Sequence, residues 1–88
     1  MAEILATGTT AANSADFTLS GETSSLLLKW AAAPLDNSAV DVMVKDAGGL
    51  YNRIGQLTTI TPMVALIAPG TFRVSRPANS PACGVDRA

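Results

Sequence analysis

Histidine is absent from the chain, and cysteine occurs once, as Cys83. Without histidine, neither a Ser-His-Asp nor a Cys-His arrangement can be assembled within these 88 residues. One cysteine supports neither an intrachain disulfide framework nor a thiolate zinc site. Cys83 is expected as a buried, inert thiol, with pairing between chains in an oxidising setting as the alternative. Aromatic side chains are few: Phe17, Trp30, Tyr51 and Phe72. Charge is also sparse, and the net value of −1 gives no overall attraction for nucleic acid. No long hydrophobic run occurs. The longest, residues 63–68, is far too short to span a bilayer. Glu3 and the lack of a basic segment before the first apolar pair argue against a signal peptide. A protein made in the cytosol, with no membrane and no nucleic-acid partner, is therefore expected.

Further motifs are missing. No G-x-x-x-x-G-K-[ST] sequence occurs, and Gly48-Gly49 fits a hairpin turn better than a phosphate cradle. Asp36, Asn37, Asp41 and Asp46 match no calcium loop, and Asp41 falls inside an alternating strand pattern. No spacing selects a carboxylate pair for acid–base work, and a chain this short leaves little room for a cleft. Tyr51, Arg53, Phe72, Arg73 and Arg76 interleave basic and aromatic residues as a single-strand-binding sheet does. The net charge and the inward phase of Phe72 with Val74 oppose that reading. The expectation is a protein that is not an enzyme, with no catalytic residues, cofactor or metal.

What the sequence does contain is strand after strand. Residues 16–20 alternate, with Phe17 and Leu19 on one face, before a Gly21-Glu22 turn. In 24–33, Leu26, Leu28 and Trp30 share a face, which places Trp30 in the core. A helix is the rival reading, because Leu, Lys and Ala are good helix formers. The stop at Pro34 and the flanking strands favour a strand. Residues 34–38 carry loop chemistry. In 39–45, Val40, Val42 and Val44 alternate with Asp41, Met43 and Lys45, the clearest strand pattern in the chain. Residues 46–49 then form a hairpin loop, and 50–58 return. Leu50, Asn52 and Ile54 are in phase there, but Leu57 is not, which predicts a bulge at Gly55. Tyr51 falls on the opposite phase and is expected to be exposed.

Residues 63–68 are apolar on both phases, as in a strand covered on both sides, with a subunit contact as one source of the second cover. Residues 68–71 fit a type II turn. Phe72 and Val74 point inward from 71–76, and a last short strand is expected around 83–86. Six to eight short strands with regular turn signals predict an all-β fold, a small antiparallel β-sandwich or barrel of immunoglobulin-like or jelly-roll-like type. Residues 1–15 read as an N-terminal arm, or a first strand with a flexible connection. Residues 16–88 read as a single β-sandwich domain. A domain of this size buries only roughly 60% of its unfolded surface, so a partner subunit would help to stabilise it.

Charge is uneven along the chain. Residues 1–44 carry a net −4 and residues 45–88 a net +3. Such a split offers an acidic face to a neighbour's basic face, although scattered surface charge alone also accounts for it.

The order of these segments resembles that of small virion proteins of tailed bacteriophages, of the capsid decoration or cement type. The shared pattern is an alternating V-x-V-x-V-K-D strand at 40–46, a Gly-rich hairpin at 48–49, a G-x-L-T strand end at 55–58 and an A-P-G-T-F-R-V segment at 68–74. The resemblance covers residues 16–87. It implies a structural protein of the virion, made in the host bacterial cytoplasm. Such a protein binds the major capsid protein on the outside of an assembled shell and often forms a trimer or dimer. The candidate interface is then Ile4 and Leu5 in the N-terminal segment, Tyr51, and Met63, Ala65 and Ile67 in the apolar strand. The alternatives are a tail or baseplate accessory module, and a carbohydrate-binding β-sandwich using Trp30 or Tyr51 as a stacking platform.

Overall fold

The computed structural model describes residues 2–30, 39–67, 69–78 and 82–88. Among these, nine strands and no helix are present: β1 (Ala2–Gly8), β2 (Ala12–Asn13), β3 (Phe17–Leu19), β4 (Ser24–Trp30), β5 (Ala39–Lys45), β6 (Tyr51–Thr58), β7 (Met63–Leu66), β8 (Gly70–Arg76) and β9 (Cys83–Arg87). They form two antiparallel sheets, ordered β1-β9-β4-β7 and β2-β8-β5-β6, with β3 also on β8. The all-β sandwich expected from the alternation is thus present. The count exceeds six to eight because the N-terminal residues supply two pieces of strand.

The core lies between the sheets. Leu5, Leu26, Leu28, Leu66, Cys83 and Val85 come from the smaller sheet. Leu19, Val40, Val42, Leu57, Phe72 and Val74 come from the larger. Every second residue of a strand points to one face, so the apolar phase read from the sequence becomes the inner layer. Burial of each such side chain stabilises the fold by roughly 1.5–3 kcal/mol. Trp30 is half-buried and packs against this cluster, at the rim rather than the centre. Cys83 is fully buried, as expected.

Several local expectations meet the structure directly. The β5–β6 hairpin closes through Asp46 N–H to Leu50 O at 2.8 Å and Gly49 N–H to Asp46 O at 3.1 Å. Gly49 takes φ +85°, which a side chain would resist. The bulge is real. Val42 faces Gly55 but Met43 faces Arg53, so Ile54 is the extra residue. The sequence placed it one position too late, because glycine marks a site of easy bending and not which neighbour is left over.

Among the described residues β7 ends its sheet, and only its inner phase, Val64 and Leu66, turns toward the other layer, so the chain itself covers one side of 63–67. One expectation needs correction. Gly70 is not the third residue of a type II turn but the first residue of β8, paired with Leu19. Residue 68 of that turn, the loop at 34–38, and Asp36 and Asn37 lie outside the described residues.

Residues 2–8 take the form of a first strand, along β9. Ala12–Asn13 and Phe17–Leu19 then run along the same side of β8 as one interrupted strand. At the interruption, Ser14 N–H donates to Val74 O at 2.9 Å, and Val74 N–H donates to Ser14 Oγ at 3.0 Å. The hydroxyl stands in for a backbone carbonyl, which keeps a buried N–H satisfied.

Candidate functional site

The chain leaves the larger sheet at Thr58 through a tight turn. Thr58 N–H donates to Thr61 O at 3.0 Å, and Thr61 N–H donates to Thr58 Oγ1 at 3.1 Å. It enters the smaller sheet as β7, which pairs with β4 from Met63↔Leu27 to Leu66↔Ser24. No described strand pairs with its other side. Val64 packs against the core and Leu66 is buried within it. Met63, Ala65 and Ile67 point outward, with Met63 51% and Ile67 73% exposed. Ile60, 93% exposed, stands just before the strand. The surface offers apolar side chains beside a backbone edge that no described strand pairs, which suits contact with another surface.

Tyr51 lies on the other sheet. It opens β6 opposite Lys45 and is half-buried. Its hydroxyl donates to Asp16 Oδ2 at 2.5 Å, and this bond holds the phenol above its ordinary pKa. The Arg73 guanidinium carbon sits 3.6 Å from the ring centroid, so a cation covers one face of the ring. Met43 lies between Arg53 and Arg73 in cross-strand register. Asp41 meets Arg53 at 3.7 Å and accepts from Gln56 Nε2 at 3.1 Å. The outer face of the larger sheet is therefore a polar network with a capped ring, not a bare aromatic platform.

The N-terminal candidates lie elsewhere again. Leu5 is 6% exposed and belongs to the core, while Ile4 is half-buried against it. On the outer face, Lys29 of β4 donates to Glu3 of β1 at 2.5 Å and pairs with Asp86 of β9 at 2.8 Å. These partners, Asp86 first and then Glu3, raise the Lys29 pKa. Because β1 and β7 are opposite edges of one sheet, Ile4 and Leu5 do not join Met63, Ala65 and Ile67. Only the last three form a patch.

Sequence reasoning missed Arg76. Its side chain is 5% exposed and donates from Nε to Thr10 O and from one terminal nitrogen to Ala6 O and Cys83 O, each at 2.7 Å. It thereby ties β8 to β1, β9 and the β1–β2 connection. The signal was available: Arg76 shares the inward phase of Phe72 and Val74. The charged outer faces of the two sheets hold no group of three or more potential metal ligands among the described residues. No family model, no curated protein and no solved structure matches the chain.

Proposed function

We propose that this chain is a structural virion protein that binds the outside of an assembled phage capsid, through the major capsid protein, and stabilises the shell. The observation that carries the reading is the ordered set of segments at 40–46, 48–49, 55–58 and 68–74. Their described residues fall on β5, its hairpin, β6 and β8, three adjacent strands of one sheet. The shared pattern thus corresponds to one contiguous piece of the fold. The open apolar patch at Met63, Ala65 and Ile67 supports a role in contact, since exposed contiguous apolar surface marks interaction sites. A small core with few aromatic anchors also suits a component held in place by neighbours.

The reading is tested by heating capsids assembled without the chain, with and without added protein. Saturable binding that raises the temperature of shell disruption is the expected result. Binding to isolated tails and not to shells would replace this reading with a tail location.

A further inference from the structure

We propose that β7 is a self-association edge. Two copies of this chain join antiparallel through β7 about a twofold axis at Ala65, merging their smaller sheets into one continuous sheet. This goes beyond the proposed function, and it is tested without any capsid, so either claim can fail alone.

The backbone geometry comes first. Pro62 O accepts from Leu28 N–H at 2.7 Å. In an antiparallel ladder, hydrogen-bonded and non-hydrogen-bonded pairs alternate. With the β4–β7 register, Val64 and Leu66 therefore bond to β4, and Met63, Ala65 and Ile67 aim their N–H and C=O groups away from it. A twofold axis at Ala65 sets Ala65 opposite itself and Met63 opposite Ile67. Both members of each pair then exchange bonds, and the exposed Met63 and Ile67 side chains become cross-strand neighbours.

Charge permits a second copy as the occupant. In an isologous contact, groups near the axis meet their own kind. Residues 59–69 contain no charged side chain, so nothing on this strand repels itself. The other edges carry the usual protections against pairing. β1 has Glu3 and two register shifts, and β6 has Arg53 and the bulge at Ile54. β2 and β3 are only two and three residues long. Pro62 and Pro69 bracket the segment, and the outward-phase residues between them are Met63, Ala65 and Ile67, with Ala65 at the centre.

Sedimentation equilibrium of the full chain across the micromolar range, with disulfide trapping, decides the matter. The wild-type chain is expected as a dimer. Ala65→Lys places like charges on the axis, and Ala65→Pro removes the outward N–H without touching the β4 ladder. Each is expected to lower the mass about twofold, with Trp30 emission unchanged. Facing residues of a bonded pair lie about 5.5 Å apart at Cα, within disulfide range. Ala65→Cys should therefore crosslink on mild oxidation, while Leu50→Cys, also exposed but outside β7, should not. If Ala65→Pro fails to fold, Ala65→Lys and the crosslinks still decide. A wild-type monomer, a trimer, a dimer indifferent to Ala65→Lys, or equal crosslinking at position 50 would overturn the proposal.

Discussion

At Arg76 a guanidinium is buried against backbone carbonyls of Ala6, Thr10 and Cys83. Its planar fork reaches several acceptors at once, which a lysine ammonium on a flexible stem does not reproduce. Replacing it removes three charge-assisted bonds to these carbonyls. Arg76→Met is expected to cost about 3 kcal/mol, read as a lower urea midpoint, and Arg76→Lys to recover less than half of that loss. Gly84 is a second residue fixed by contact. A Cβ there would stand 2.5 Å from Leu5 O and 2.8 Å from Thr7 N, both backbone atoms of β1. Gly84→Ala is expected to destabilise by about 2 kcal/mol or more, with amide exchange accelerated first in β1. The two differ in legibility. The burial of Arg76 was readable from its phase with Phe72 and Val74, but its charge suggested a surface. The demand for glycine at 84 arises from the close passage of β1, which no local pattern around Cys83 announces.

At the scale of elements, the β5–β6 hairpin combines a glycine, a carboxylate and a bulge. Asp46 Oδ1 accepts from the N–H groups of Leu50 and Gly48, each at 2.9 Å, and Oδ2 from Asn52 Nδ2 at 3.1 Å. The Leu50 bond leads in holding the carboxyl below its ordinary value of 3.8. Because the folded pKa is depressed, the contribution is complete above the unfolded value and is lost as pH falls through the folded one. The Asp46 carboxyl should titrate below 3.8 by NMR, and the amides of Gly48 and Leu50 should lose protection over the same acid interval. Asp46→Ala should remove that interval of protection loss and leave the two amides open at neutral pH.

The bulge yields a different expectation. Ile54 has no partner on β5, and the register is regular on either side. Deleting Ile54 should keep the Val40–Leu57 and Met43–Arg53 contacts, seen as cross-strand NMR contacts, at a cost under about 1 kcal/mol. A shifted register would show that the bulge sets the pairing rather than absorbing an extra residue. The hairpin and the bulge were legible because alternation and glycine placement are local signals. The edge position of β7 was not. Its apolar residues on both phases indicated two covered faces without saying which the chain covers itself, because strand order is decided by distant pairing.

For the whole molecule, the uneven charge of the two halves does not survive folding as two faces. Lys29 of the first half sits between Glu3 and Asp86, and Arg53 of the second half meets Asp41 of the first. Antiparallel sheets built from both halves mix the charges, so they join strands within the molecule. Asp16 and Tyr51 do the same on the larger sheet, joining the connection before β3 to β6. Asp16→Asn should lower the Tyr51 phenol pKa toward 10.0 in an ultraviolet titration, since it removes the charge that favours the protonated phenol. This scale was the least legible from sequence. The class of fold follows from period-two patterning, but the separation of Ile4 and Leu5 from Met63, Ala65 and Ile67 follows from the β1-β9-β4-β7 order.

The central claim is that this sandwich is a component of the virion shell. Electron cryo-microscopy of mature capsids assembled without the chain, before and after its addition, tests that most directly. The account predicts new density of sandwich size at fixed lattice positions on the outer surface, rising to saturation with added protein. Shells that show no added density at saturating protein would contradict it.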